Sequence, residues 1–221
     1  MLPLRDINPS RAFPLLTGMI IAINAWVFIE HYQEGVFFEE ALYQLGYIPA
    51  LGFSLERAIT SMFMHGSWAH LLFNMWTLWV FGDNIEEALG KLGYLLLYAA
   101  AGVGAVLLHS FLYPTSEVPV VGASGAISGV MGAYLSLYPR ARILTWVPPW
   151  FITSLPARVF LILWFVLQVV QGVVDRYLNW MMGEASGVAF WAHVGGFGVG
   201  WGLAVFLRDS RLERDSWADL R

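Results

Sequence analysis

The sequence predicts an all-α protein, a polytopic membrane bundle of six transmembrane helices, because it is apolar, poor in charge and divided into long charge-free stretches. Hydrophobic residues make up 58% and charged residues 13% of the 221 residues, which is about half the charged fraction of a typical soluble domain. The mean hydropathy is +0.61. The stretches without Asp, Glu, Lys or Arg are 12–29, 58–82, 92–116, 118–139, 159–174 and 185–207. Most of them reach or approach the roughly 20 residues that a helix needs to cross a bilayer.

Each stretch is predicted to hold one helix of a single membrane domain, 1–221, that ends in a charged cytoplasmic tail, 208–221. The first run ends at Glu30 without a cleavage site of the signal-peptidase type, so we expect a retained helix. The segment 31–57 is too polar to span the bilayer and too apolar to leave the membrane–water interface. Pro148-Pro149 forbids a helix between spans 4 and 5. The predicted spans are approximately 13–29, 66–88, 92–113, 120–138, 157–174 and 188–207.

The basic residues predict the orientation and exclude some partners. With six spans, ten of the 12 Lys and Arg residues lie on one side, and only Arg57 and Arg176 lie on the other. The positive-inside rule then places both termini in the cytoplasm. The basic residues form no stripe wide enough to hold a phosphate backbone, so nucleic acid is not an expected partner. The chain has no cysteine, and therefore no disulfide framework or thiolate metal site.

The motif Gly122-Ala123-Ser124-Gly125 opens the predicted fourth span. Glycines allow close approach to the backbone, and free N–H groups at a helix N-terminus can stabilise an oxyanion, so Ser124 is a candidate nucleophile. The alternative is simple helix packing, because Gly125, Gly129 and Ala133 form a stripe of small residues. Taken alone, the motif favours packing.

His193 lies in the predicted sixth span, where Ala192, Gly196, Gly200 and Ala204 recur every four residues. An ionisable side chain is costly in lipid and is therefore a functional candidate, although a lone histidine often only bonds a neighbouring helix. Spans 4 and 6 are predicted to run in the same direction, so their small faces can pack in parallel. A histidine within hydrogen-bond reach of Ser124 could take its proton.

The predicted second span adds His65, His70 and Asn74. His70 and Asn74 are about 40° apart on one helical face and can serve together as oxyanion donors, whereas His65 lies about 140° round from His70. The alternative is that they are polar contacts between helices. His65 is expected to be structural and to tie down the external loop. No Asp or Glu lies at the depth of His193, which predicts a Ser-His dyad without an orienting carboxylate, a group that would be expensive in the bilayer.

Together these motifs resemble the rhomboid family, and the likeness covers nearly the whole chain. The resemblance implies an intramembrane serine endopeptidase that forms an acyl-enzyme, with Ser124 as nucleophile and His193 as general base. It implies an oxyanion hole from His70, Asn74 and the Ser124 N–H. The matching residues are His65, His70 and Asn74, then Gly122 to Gly125, and then Ala192, His193, Gly196 and Gly200.

The resemblance also implies the surroundings of the site. Segment 31–57 is then expected to be a membrane-embedded loop, and span 5 with loop 175–187 is expected to be a movable gate. Glu86 is expected to be a structural glutamate. The expected substrates are single-span or membrane-anchored proteins, without cofactor or metal. The expected location is a bacterial cell membrane, with the site open to the external side. One departure is Ser128, because many relatives have an aromatic residue there, packed on the histidine ring.

Three other functions would also place polar residues within a membrane bundle. A non-catalytic rhomboid-like chaperone or binding protein is the main alternative, although such relatives typically lack the serine or the histidine. A small-solute transporter is disfavoured because the chain shows no repeat symmetry with broken spans in matching halves. An intramembrane metalloprotease is disfavoured because there is no His-Glu-x-x-His motif.

Overall fold

The computed structural model describes residues 1–32, 35, 38–149, 151–182 and 187–211, with side chains as far as residue 207. Within these residues helices dominate, and three short strands accompany them. The elements in chain order are β1 (Leu2–Asp6), α1 (Leu15–Tyr32), α2 (Phe38–Leu45), a 3-10 turn (Pro49–Leu51), α3 (Leu55–Thr60), a second 3-10 turn (Ser61–Phe63), α4 (Trp68–Leu112), α5 (Ser124–Leu137), β2 (Arg142–Val147), β3 (Phe151–Pro156), α6 (Ala157–Met182) and α7 (Phe190–Arg211).

The predicted helical membrane bundle is confirmed. Within the described ranges, α1, α4, α6 and α7 are long and apolar enough to cross a membrane, while α5 is apolar but shorter, at 14 residues. The 45 residues of α4 are interrupted at Gly90, whose φ of 70° and ψ of 168° are not helical. Glycine adopts a positive φ without steric cost. The two halves of α4, 68–89 and 91–112, correspond to the predicted spans 2 and 3, and the total of six spans remains a prediction.

Helices α4, α5 and α7 form the centre of the molecule. A Cβ atom added at Gly196 would overlap the Gly125 carbonyl group, and one added at Gly200 would overlap the Gly129 backbone. The residue numbers rise together along the two helices, so α5 and α7 run in the same direction. A Cβ added at Gly129 would also meet Ala101 of α4. The backbones of the three helices are therefore close together, as small residues allow in membrane bundles.

A three-stranded antiparallel sheet in the order β1-β2-β3 was not predicted. The loop between spans 4 and 5 is non-helical as expected, but it forms the β2–β3 hairpin, with a cis bond between Pro148 and Pro149. Strand β1 pairs with β2 from Leu2 opposite Trp146 to Asp6 opposite Ile143. No local pattern specifies this pairing, because the two strands are far apart in the sequence.

Two further differences concern the ends of elements. Helix α6 continues to Met182, so most of the predicted loop 175–187 is helical, and its residues 183–186 lie outside the described ranges. Segment 31–57 contains α2, a 3-10 turn and the start of α3. Glu34, Val36 and Phe37 of that segment lie outside the described residues, as do residues 212–221 of the predicted tail.

Glu86 joins α4 to the first turn of α1. Its carboxylate accepts hydrogen bonds from the backbone N–H groups of Leu16 at 2.9 Å and Thr17 at 2.8 Å, and from the Thr17 hydroxyl at 2.9 Å. A carboxylate at a helix N-terminus satisfies donors that have no partner within the helix and interacts favourably with the helix dipole. Glu86 is buried, so these bonds fix the start of α1 against the bundle.

Candidate active site

The turn before α5 brings Ser124 to the first position of that helix. Gly122 has a φ of 116°, and its N–H donates to the Ser61 carbonyl oxygen at 2.9 Å. A Cβ atom at this position would lie 2.6 Å from Nε2 of His70 and 3.5 Å from Nδ2 of Asn74. Glycine is therefore required both by the backbone angle and by the neighbouring side chains. The turn brings the serine beside the two predicted oxyanion donors.

Ser124 and His193 form a hydrogen-bonded pair. The Oγ atom of Ser124 lies 2.8 Å from Nε2 of His193, which is within the range of a hydroxyl-to-imidazole hydrogen bond. The close packing of α5 on α7 one turn below, at Gly196, sets the spacing of these side chains. This arrangement lets the imidazole take the serine proton, the first requirement of nucleophilic acyl transfer.

The second ring nitrogen of His193 contacts α6. Nδ1 lies 2.7 Å from Oε1 of Gln168, whose side chain is only 9% exposed. Gln168 was not predicted as a site residue, although the sequence contains an indication of it. Gln168 and Gln171 are the two amide side chains in the charge-free stretch 159–174, and polar side chains within membrane spans are expensive.

An aromatic side chain also lies beside His193, and it comes from α6. The Trp164 ring centroid is 6.1 Å from that of His193, with an angle of 36° between the rings. At Ser128, where the resemblance implied an aromatic residue, the hydroxyl donates instead to the Ser124 carbonyl oxygen at 2.6 Å. Trp164 therefore supplies the aromatic contact to the histidine ring, which could not be assigned to a residue from the sequence.

His70, Asn74 and His65 cluster on the other side of Ser124. Nδ2 of Asn74 is buried and has no hydrogen-bond partner among the described residues, so this donor is available to a substrate oxygen. The His65 ring is fully buried, 5.1 Å from the His70 ring centroid in an edge-to-face arrangement. Residue 65 precedes α4, so the predicted helical angle does not apply to it. It packs against His70 instead of pointing away.

A cavity of about 580 Å³ joins these groups. It is large enough for many water molecules, each of which takes up about 30 Å³ in the liquid. Part of its wall comes from helix ends that were predicted to be external. Within the described ranges, no group of three His, Cys, Asp or Glu side chains could hold a metal ion. Its lining includes Ser124, His193, His70 and Asn74, and also His109, Tyr113, Asp175 and Asn179.

Comparison with known proteins decides the family. A family model described as the Rhomboid domain matches residues 52–210. The chain belongs to the rhomboid family. The matched range includes every residue of the three motifs, from His65 to Gly200. The family and the apolar helices together identify this rhomboid as an integral membrane protein.

Named relatives of this rhomboid include proteins of yeast and of a bacterium. It is 28% identical to "Rhomboid protein 1, mitochondrial" of Saccharomyces cerevisiae over 94% of this chain and 57% of the relative. It is 40% identical to "Putative rhomboid protease YdcA" of Bacillus subtilis, over 36% of this chain and 39% of the relative. It is 42% identical to "Rhomboid protease GluP" of the same bacterium, over 40% of this chain and 17% of the relative. The chain thus spans less than two thirds of the length of each.

Proposed function

We propose that this rhomboid is an intramembrane serine endopeptidase that cleaves single-span or membrane-anchored protein substrates. The observation that carries the proposal is the 2.8 Å contact between Ser124 Oγ and His193 Nε2 at the wall of a large cavity. The relatives named as proteases support the same reaction class. No cofactor or metal is needed for this chemistry, because the nucleophile, base and hydrogen-bond donors are all side-chain or backbone groups.

In the acylation step, His193 Nε2 takes the Ser124 hydroxyl proton as Oγ attacks the carbonyl carbon of the substrate peptide bond. The negative charge that develops on the substrate oxygen is stabilised by the Ser124 N–H, Asn74 Nδ2 and His70. The C–N bond then breaks, and the imidazolium gives its proton to the leaving nitrogen. Preorganised donors of this kind each contribute about 100- to 1,000-fold in rate.

In the deacylation step, water from the cavity replaces the leaving peptide. His193 takes a proton from this water as its oxygen attacks the ester carbonyl on Ser124. The ester bond breaks, the proton returns to Ser124 Oγ, and the product leaves with a new carboxylate. The cavity provides the water that this step consumes, which lipid alone could not supply.

The membrane setting is part of the proposal. Six spans with both termini in the cytoplasm would place the cavity mouth on the external side of a bacterial cell membrane. The distribution of Lys and Arg supports this orientation. Helix α6 would be the movable element beside which a substrate helix is bound, as the resemblance implies for span 5.

The direct test is cleavage of a panel of single-span substrates by purified protein, with product ends read by mass spectrometry. Ser124→Ala should reduce cleavage by about three orders of magnitude or more, because the nucleophile is lost. Ser136→Ala is the matched control, since Ser136 is buried in the same helix and its Oγ has no hydrogen-bond partner among the described residues. That variant should keep wild-type activity.

Equal cleavage by Ser124→Ala and wild type would remove the protease proposal. A serine-reactive fluorophosphonate gives an independent readout, because it should label wild type and Ser136→Ala but leave Ser124→Ala unlabelled. A wild-type protein that neither cleaves any substrate nor reacts with the probe would favour the non-catalytic binding protein.

A further inference from the structure

The Ser124–His193 pair of this rhomboid is hydrogen-bonded to a third side chain, the amide of Gln168. Gln168 Oε1 lies 2.7 Å from His193 Nδ1, while Ser124 Oγ lies 2.8 Å from Nε2. Both ring nitrogens are therefore engaged, each by a side chain from a different helix. Gln168 is nearly buried, so solvent does not compete strongly for this contact.

The partner atom determines where the imidazole proton lies. A carbonyl oxygen can only accept, so Nδ1 must carry the ring proton that is donated to Gln168. Nε2 then has a lone pair directed at the Ser124 hydroxyl, which is the tautomer that a general base needs. The opposite tautomer would leave Nδ1 and Oε1 as two facing acceptors and would remove the base from Ser124.

An amide suits this location better than a carboxylate. A carboxylate would orient the ring and also attract the imidazolium charge, but an ionised acid within the membrane is expensive to desolvate. The neutral amide dipole orients the ring at a smaller cost. The imidazole is thus oriented by an amide and needs no carboxylate for this purpose.

We propose that Gln168 is a positioning residue that holds His193 in the Nδ1–H tautomer, with Trp164 bracing the ring one helical turn away. The inference rests on the proposed protease function. It makes the competence of the base depend on the position of α6, because the contacts of Gln168 and Trp164 with the ring both come from that helix. Displacement of α6 would free the imidazole to rotate and to change tautomer.

The kinetic test compares Gln168→Met with Gln171→Met. Methionine has a similar length to glutamine but offers no oxygen to Nδ1, and Gln171 is exposed on the same helix. Gln168→Met should lower kcat by about 10- to 100-fold with KM within about twofold, the range found when a side chain that orients a metal-bound histidine is removed. Gln171→Met should match wild type in both constants.

A carboxyl group at the same position should rescue the variant. Gln168→Glu restores an acceptor oxygen for Nδ1, so it should regain at least tenfold of the lost kcat, with KM within about twofold of wild type. A residue that mattered only for packing would not be rescued in this way.

Nitrogen NMR of histidine-labelled wild-type protein tests the tautomer without any change at Gln168. The His193 resonances, assigned by their loss in His193→Ala, should show a protonated Nδ1 and an unprotonated Nε2. A protonated Nε2 in the wild type, or a Gln168→Met variant as active as Gln171→Met, would overturn the inference. Failure of wild type to cleave or to react with the phosphonate would instead overturn the protease function. The NMR measurement of the His193 tautomer could still be interpreted in that case.

Discussion

The helices that carry the dyad and the helix that orients it are held in very different ways. In α5, 11 of 14 residues are buried, whereas in α6 only five of 26 are buried. Ser124 and His193 lie on backbones that pack against each other through glycines, but Gln168 and Trp164 lie on a helix with most of its surface exposed. The serine–histidine distance is therefore set by close packing of α5 on α7, while the proposed tautomer of the imidazole depends on α6, a helix with fewer buried residues.

The largest expected effect comes from adding one methyl group between α5 and α7. In Gly200→Ala the new Cβ would overlap the carbonyl and Cα atoms of Gly129, so the helices must separate. Overpacking of this kind costs about 1–3 kcal/mol of unfolding free energy, and a displacement of the dyad by about 1 Å can cost about 100-fold in rate. Both should be measured, by reversible denaturation in mixed micelles and by substrate cleavage.

Gly198→Ala is the control for this experiment. It lies in the same helix, and a Cβ atom there would meet nothing within 4 Å. It should leave both stability and activity close to wild type. If the two variants behaved alike, close glycine packing would not be what sets the position of the dyad.

An intermediate effect is expected where α1 is attached to the central helices. Glu86→Gln replaces charged acceptors of the Leu16 and Thr17 N–H groups by a neutral amide. Hydrogen bonds to a charged group contribute about 1.5–3 kcal/mol, so denaturation should show a loss of about 2 kcal/mol, with cleavage reduced less than threefold. The dyad is not touched.

Glu87→Gln tests whether charge alone explains such a loss. Glu87 is exposed and accepts a hydrogen bond from the Arg11 N–H at 3.1 Å. Exposed substitutions usually change stability by less than about 0.5 kcal/mol. A drop in Glu87→Gln equal to that in Glu86→Gln would show that net charge, and not the first turn of α1, is responsible.

The smallest effect is expected near the C-terminal end of α6, where Asp175 and Asn179 line the cavity. Arg176 donates to the Leu112 carbonyl oxygen at 2.6 Å, its guanidinium lies 5.5 Å from the Tyr113 ring centroid, and the Tyr113 hydroxyl donates to Asp175 at 3.3 Å. Loss of one such contact, about 1 kcal/mol, corresponds to about fivefold in a local opening equilibrium. Arg176→Gln should therefore speed amide hydrogen exchange in residues 173–182 about fivefold, with α5 and α7 unchanged.

Arg158→Gln, at the opposite end of α6, supplies the comparison for exchange. Its side chain is exposed, so exchange in residues 173–182 should stay at the wild-type rate. Faster exchange across α5 and α7 in Arg176→Gln would contradict the separation between firmly and loosely held helices.

The sequence predicted the features that depend on local spacing. Small residues every four positions placed α5 against α7, and His70 and Asn74 share a helical face because they are four residues apart. The same reasoning was wrong for His65. It assumed that His65 belongs to the helix of His70, but that helix begins three residues after His65, at Trp68. A helical angle has meaning only between residues of the same helix.

Features that depend on contacts between distant segments were not predictable. Gln168 stood out as an amide in an apolar stretch, but its contact with His193 depends on the rotation of α6, which no local pattern sets. Trp164 could not be singled out, because the predicted spans contain many aromatic residues. The pairing of Leu2–Asp6 with Arg142–Val147 joins segments far apart in the chain, and neither segment has a clear alternating pattern.

The small sheet has a practical consequence for any study of α6. Strand β3 leads directly into α6 at Pro156 and Ala157, and β1 is bonded to β3 through β2. Residues 2–6 are therefore attached mechanically to the base of the helix that carries Gln168. A fusion partner or purification tag joined ahead of Met1 would lie next to β1 and could disturb its pairing with β2, so kinetic constants should be compared between proteins tagged after Arg221.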